Sequence, residues 1–402
     1  MSQPVDRSEL YRQAFEQAIR EHKEFRLHPE RGREFVYVAR EILTIPQDTD
    51  RVARKLAQNN IGNERGKDFA GMTRLLLPPA NAEDVPRIVR LLRDPAQWPG
   101  ERTPVVQPHH VVFGHGGNMH GHPGQPPRAA DPIADPAVER EGLGKGVTVG
   151  ILDTGISRTA SADHPRWLRD AFLPRPDEVD AAYAHDDVFA LEGGHGTFVA
   201  GVVRQAAPGA RFDPERALSP VGLGTEEEFA QALSSFDEPR VQVVNISLGC
   251  FTLDDVAPEP VRRAVERLPE DVVVVASAGN QGTARPSWPA ALPRVTAVAA
   301  LAQERDGTLS PACYSNHGHW VDACAVGNRT STFLKGRWVL PGQPEEVYDR
   351  FAYWLGTSFA APHVAGRIAA TMTESAVTAA QARDQLIAGQ PEFFPGYGVY
   401  VE

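Results

Sequence analysis

Four short stretches of this sequence carry side chains able to take part in covalent chemistry. Asp153 stands in Ile151-Leu152-Asp153-Thr154-Gly155, directly after an apolar run. His195 stands in Gly193-Gly194-His195-Gly196-Thr197, Asn280 closes Ala276-Ser277-Ala278-Gly279-Asn280, and Ser358 stands in Gly356-Thr357-Ser358-Phe359-Ala360. An aspartate in a D-T-G turn can serve two chemistries. Paired with a second such acid, it shares a proton and activates water. Set beside a histidine, it orients a ring that takes the proton of a serine hydroxyl, which is otherwise a poor nucleophile. No second D-T-G or D-S-G occurs in the chain. The first chemistry therefore lacks its partner carboxylate. The second has every part, including an amide, Asn280, able to donate to a developing oxyanion.

These residues need elements to hold them. Val147–Leu152, Val241–Ile246, Val272–Ala276 and Val295–Ala299 are near-continuous apolar runs. Runs of this kind form strands buried on both faces, hence a parallel sheet flanked by helices, with the site at the carboxyl ends of the strands. Asp153 and Asn280 each follow such a run. His195 and Ser358 stand at the starts of two helices, and at Ser358 the helix dipole favours developing negative charge. Taken singly, an H-G-T is an ordinary helix start, an A-G-N a turn, and a G-T-S an N-cap. Only their joint presence, in this order, points to chemistry.

The chain before residue 114 has another pattern. Residues 8–25 place Leu10, Ala14, Phe15, Ala18 and Ile19 on one helical face. Residues 35–38 and 73–77 read as strands, residues 48–58 and 85–92 as helices, the second capped by Asn81. Residues 104–113 form a last extended piece. The order suits a small α+β module. Residues 114–138, dense in Gly and Pro, read as a linker. It begins within a histidine-rich stretch, His109, His110, His115, His120 and His122, whose spacing matches no ligand pattern, so no metal site is expected. The expected division is residues 1–113, 114–138 and 139–402.

Composition narrows the classes. Of 402 residues, 42% are hydrophobic, enough for sizeable cores. The formal net charge of −11 favours neither nucleic acid nor an anionic membrane as partner. The first twenty residues contain no long apolar run, so no signal peptide is read and a cytoplasmic location is expected, although leaderless export would look the same. Three cysteines, Cys250, Cys313 and Cys324, form no C-x-x-C pair and suit a reducing compartment.

With these motifs in this order, residues from about 145 to 400 resemble the subtilisin-like serine proteases. The resemblance implies an α/β fold with Asp153 orienting His195, His195 as general base and then acid, Ser358 as nucleophile, and Asn280 with the Ser358 backbone N–H as oxyanion hole. It implies that Ser247-Leu248-Gly249 and Gly222-Leu223-Gly224 pair with an extended substrate from either side. It also implies that Ala278-Gly279 and Ser287-Trp288-Pro289-Ala290 line the first specificity pocket. A serine-carboxyl relative would carry Glu where His195 stands. The run from His195 to Pro208 lacks the insertion that binds calcium in many members, and no cofactor is implied. Cys250 stands where Gly is common, near the cleft, and is expected to be an ordinary small buried side chain rather than a thiol at the cleft. Residues 327–355 look like a surface hairpin. The N-terminal module resembles the family's propeptide, an intramolecular inhibitor, with Val105–Phe113 as its inhibitory tail. The expected function is a self-inhibited endopeptidase acting on protein or peptide. The rival is a peptide-binding scaffold that retained the cleft.

Overall fold

The structure, a computed structural model, describes the chain apart from residues 1–6, 115–125, 136–139, 170, 173–174, 176–177, 237–240, 341–342 and 389–391. Histidines 115, 120 and 122 and most of the expected linker lie outside the described residues. One described part of that stretch, Arg128–Ala129, is a short strand paired with Glu346–Leu355. Nothing local in Pro-Arg-Ala-Ala signals it, because the pairing partner is more than 200 residues away.

The N-terminal helix Arg7–Glu21 precedes an antiparallel sheet. Its strands run in the order Val106–Gly114, Phe35–Thr44, Met72–Leu76, Glu64–Phe69, with Phe25–His28 added beside Phe35–Thr44. Helices Thr49–Gln58 and Val85–Arg93 bury Val52, Leu56, Ile88, Val89 and Leu92 against it. Strands Phe25–His28 and Glu64–Phe69 escape the sequence pattern. Glu64–Phe69 is a mostly exposed polar edge without apolar alternation. Asn81 does not cap Val85–Arg93. It ends a separate turn, Pro79–Asn81, while Pro86 near the helix start removes one of the N–H groups a cap would satisfy.

The larger sheet is parallel over Arg211–Arg216, Thr148–Asp153, Val243–Ile246, Val273–Ser277, Val295–Gln303, Ala323–Val326 and Gly398–Tyr400, in that spatial order. Alternate residues of its strands fill two cores. Val149, Ile151, Val243, Val273 and Val275 face the helices His195–Ala206 and Thr357–Glu374. Leu152, Val244, Ile246, Val274 and Ala276 face Glu226–Ser234 and Glu259–Arg267. The helix from His195 runs without interruption to Ala206. The hairpin Asn328–Trp338 and Glu346–Leu355 is not a surface feature. Phe333, Trp338, Tyr348 and Trp354 are buried, and the hairpin packs on helix His195–Ala206. No described helix is long and apolar enough to cross a membrane.

Candidate active site

Asp153 is the last residue of its strand and His195 the first of its helix. Asp153 Oδ1 lies 2.7 Å from His195 Nδ1, and both side chains are buried. The two segments are locked together by the residues that follow. The Thr154 N–H donates to Asp153 Oδ1 at 2.8 Å. Thr154 Oγ1 accepts from the Gly196 N–H at 3.2 Å and donates to Asp180 at 3.2 Å, and the Gly194 N–H donates to Asp180 at 2.7 Å. Gly196 is required by this contact. A Cβ there would stand 2.1 Å from the Gly155 carbonyl oxygen. Gly155 itself has φ +92°, a conformation side chains resist.

Burial alone would pull the His195 pKa down. The charge and hydrogen bond of Asp153, with the charges of Glu192 and Asp180, outweigh it and push the ring up to about 9. Burial raises Asp180 to about 7 despite its two donors. The imidazole is walled by Trp354 and Phe359, each with its ring centroid 5.3 Å away. His195 Nε2 is buried without a hydrogen-bond partner.

Ser358 is the second residue of helix Thr357–Glu374, and its neighbour Phe359 is the ring against His195. Its Oγ donates to the Ser247 carbonyl at 3.5 Å, and its own carbonyl accepts from Ser247 Oγ at 3.0 Å. Asn280 Oδ1 accepts from the Thr357 N–H at 2.8 Å and from Thr357 Oγ1 at 2.9 Å. The Asn280 loop is further held by Asn316, whose Nδ2 donates to the Ala278 carbonyl at 2.9 Å and whose N–H donates to that of Gly279 at 2.8 Å. Asp153 thus meets His195, Asn280 meets Thr357 next to Ser358, and Phe359 joins the two pairs, while no hydrogen bond links Ser358 Oγ to His195 Nε2.

The edges of the cleft are Leu223–Thr225 and Leu248–Gly249, and the end of strand Val106–Gly114 lies between them. Val111, Val112 and Phe113 pair antiparallel with Thr225, Gly224 and Leu223. Phe113 and Gly114 pair with Gly249 and Leu248, and the Gly114 N–H donates to the Gly222 carbonyl at 2.9 Å. His109 and His110 are engaged by carboxylates. His109 Nδ1 meets Glu41 at 2.6 Å and His110 Nδ1 meets Glu226 at 2.7 Å, the second contact tying the strand to the C-terminal domain. Burial keeps His110 well below the ordinary histidine range. Trp288 is buried in the core shared with Leu248 and Ala276, and its backbone pairs with Cys250. The Cys250 thiol is buried as well, and burial raises its pKa, so it offers no reactive group to the cleft.

Glu192, Asp180, Trp354, Thr357 and Tyr11 also belong to this neighbourhood and went unrecognised in the sequence. Glu192, three residues before His195, and Thr357, directly before Ser358, are the two with a local signal. Among the described residues one carboxylate group has metal-ligand spacing, Glu178, Asp213 and Glu215, and the Arg175 guanidinium pairs with all three.

Comparison with known proteins decides the family. The sequence profile of the subtilase family (peptidase family S8) matches residues 144–389, more than half of the chain. The chain belongs to the subtilase family. A thermophilic serine proteinase from Bacillus sp. strain AK1 is 32% identical over 55% of this chain and 51% of its own length. Subtilisin Savinase from Lederbergia lenta is 32% identical over 59% of this chain and 80% of its own. The chain thus spans about half the length of the first relative and more of the second. Fervidolysin from Fervidobacterium pennivorans, a keratinolytic enzyme related to subtilisin, has the same fold with a TM-score of 0.59. It is 20% identical, and the match covers 91% of this chain and 60% of fervidolysin. The likeness of fold therefore extends beyond the subtilase domain into the N-terminal module.

Proposed function

We propose that this subtilase is a serine endopeptidase acting through Asp153, His195 and Ser358, and that its N-terminal module holds it inhibited. The observation that carries the proposal is strand Val106–Gly114, seated between both edges of the cleft and ending against Glu192 and against Leu218, whose N–H donates to the Asp153 carbonyl. Substrate would take the same place as an added strand. His195 Nε2 then removes the Ser358 hydroxyl proton as Oγ attacks the substrate carbonyl. Asn280 and the Ser358 N–H receive the oxyanion, and the imidazolium returns its proton to the departing amine. Water repeats the sequence to release the acyl group. The three free cysteines fit a reducing compartment.

The test compares full-length wild type with Ser358→Ala by intact mass after incubation, together with fluorophosphonate labelling before and after nicking within about residues 115–131. Wild type is expected to cut itself in that stretch while Ser358→Ala stays whole, and labelling is expected to quicken after nicking. Equal labelling before and after would refute self-inhibition. No labelling in either state would leave the peptide-binding scaffold as the better reading.

Asn280→Ala in the activated enzyme is expected to lower kcat by about 10²–10³-fold with little change in KM, a magnitude that comes from subtilisin, another subtilase. Its amide acts mainly on charge that appears in the transition state. A defect confined to KM, in steady-state kinetics on one peptide, would assign Asn280 another task.

A further inference from the structure

Gly114 marks a substrate position. It pairs with Leu248, and Phe113 pairs with Gly249. The next place along an antiparallel ladder lies opposite Ser247, whose carbonyl is 3.5 Å from Ser358 Oγ. A substrate strand in this register sets the residue to be cleaved after opposite Ser247. The residue preceding it then stands where Gly114 stands.

A Cβ at that place would lie 3.4 Å from both Cδ and Oε2 of Glu192 and 3.5 Å from Leu218 Cδ1, ordinary contact distances. A Cβ there is therefore accommodated, and it stands against a carboxylate. Glu192 is fixed in this attitude by the cleft wall. Its N–H donates to the Pro220 carbonyl at 3.0 Å, and its Cγ lies 2.4 Å from where a Gly222 Cβ would be. Only glycine at 222 leaves it that room.

The carboxylate is satisfied from one side only. Oε1 accepts a hydrogen bond from the Tyr11 hydroxyl, and Oε2 is buried without a partner. Tyr11 belongs to the N-terminal helix and is itself fully buried, packed on Trp338 with ring centroids 5.5 Å apart. Departure of the N-terminal helix with the module would take this donor away and leave Glu192 in the wall. An ionised carboxylate in such a place is stabilised by a charged donor.

We propose that Glu192 forms an acidic subsite for a lysine or arginine side chain on the substrate residue just before the cleaved one. The aliphatic stem would run along Leu218 and the charged end would meet the carboxylate. The tail carries glycine at this position and so leaves the subsite to Tyr11, which covers it while the module is bound. This inference rests on the endopeptidase reading above and deepens it to a substrate preference.

The test uses the full chain after self-cleavage or nicking within residues 115–131, with peptides differing only at this position: Arg, Lys, Ala and Glu. The expected kcat/KM ratio of Arg over Ala is roughly 10–100-fold, the range of a charge-assisted hydrogen bond, with Glu the poorest. In Glu192→Gln that ratio is expected to fall to near one. In Glu192→Asp part of it should remain. A wild-type ratio near one, or a ratio unchanged in Glu192→Gln, overturns the subsite. If the Ala peptide is cleaved in those cases, the endopeptidase reading stands without it. Hydrolysis of no peptide at all removes both.

Discussion

Ser358→Ala is expected to lower kcat by on the order of 10⁶-fold, the size of the corresponding loss in subtilisin. The fold should survive, because the substitution deletes one hydroxyl whose hydrogen bond to the Ser247 carbonyl is long, at 3.5 Å. The firmer link is the 3.0 Å bond from Ser247 Oγ to the Ser358 carbonyl, which alanine keeps. Helix Thr357–Glu374 stays anchored by Thr357 on Asn280 and by Phe359 in the aromatic cluster around His195. An unchanged melting temperature with activity at background is the expected pair of measurements. Substantial residual hydrolysis in a folded Ser358→Ala protein would show that another group is the nucleophile.

Asp153→Asn is expected to cost about 10⁴-fold in kcat, with geometry preserved. Asp153 Oδ1 receives both the His195 Nδ1–H and the Thr154 N–H. An asparagine that turned its amide nitrogen to the ring would force the proton onto Nε2, the atom that must accept from Ser358. The charge matters too. Burial opposes protonation of His195, and Asp153 is the largest influence holding its pKa up, at about 9. Removing that anion disfavours the imidazolium. The ring then becomes neutral at lower pH, and the acid limb of the residual activity should move down the pH scale. Part of the elevation should remain, because Glu192 and Asp180 keep their places. A pH–rate profile of the activated variant measures this. A limb that stays put, or moves up, would mean that the essential ionisation is not that of His195.

The candidate site was legible in the sequence because it depends on motifs whose geometry is local. Asp153 follows an apolar run that can only be a buried strand. Gly155 and Gly196 are small because the D-T-G and H-G-T backbones must touch. The four valine-rich runs likewise announced a sheet covered on both faces, and the structure fills two cores from their alternate residues. Polar or edge-dependent features were hidden. Strand Glu64–Phe69 has no apolar alternation, and Arg128–Ala129 becomes a strand only against Ala352 and Tyr353. The hairpin over 328–355 was readable as a hairpin, but its inward face was not. Whether Trp354 meets solvent or the His195 ring depends on where a distant helix lies.

The same division runs through the site. By its order of motifs alone, the chain determined which residues could orient a base, abstract a proton, attack and hold an oxyanion. Only the tertiary structure decided what surrounds them. It sets Glu192 between Gly222 and the place of Gly114, brings Tyr11 across from a helix some 180 residues away to hydrogen-bond it, and lays Val111–Gly114 between two cleft edges. The physical reason is the range of the forces involved. Steric demands on a turn act between neighbours in sequence, whereas burial, charge and strand pairing act between whatever the fold makes neighbours in space.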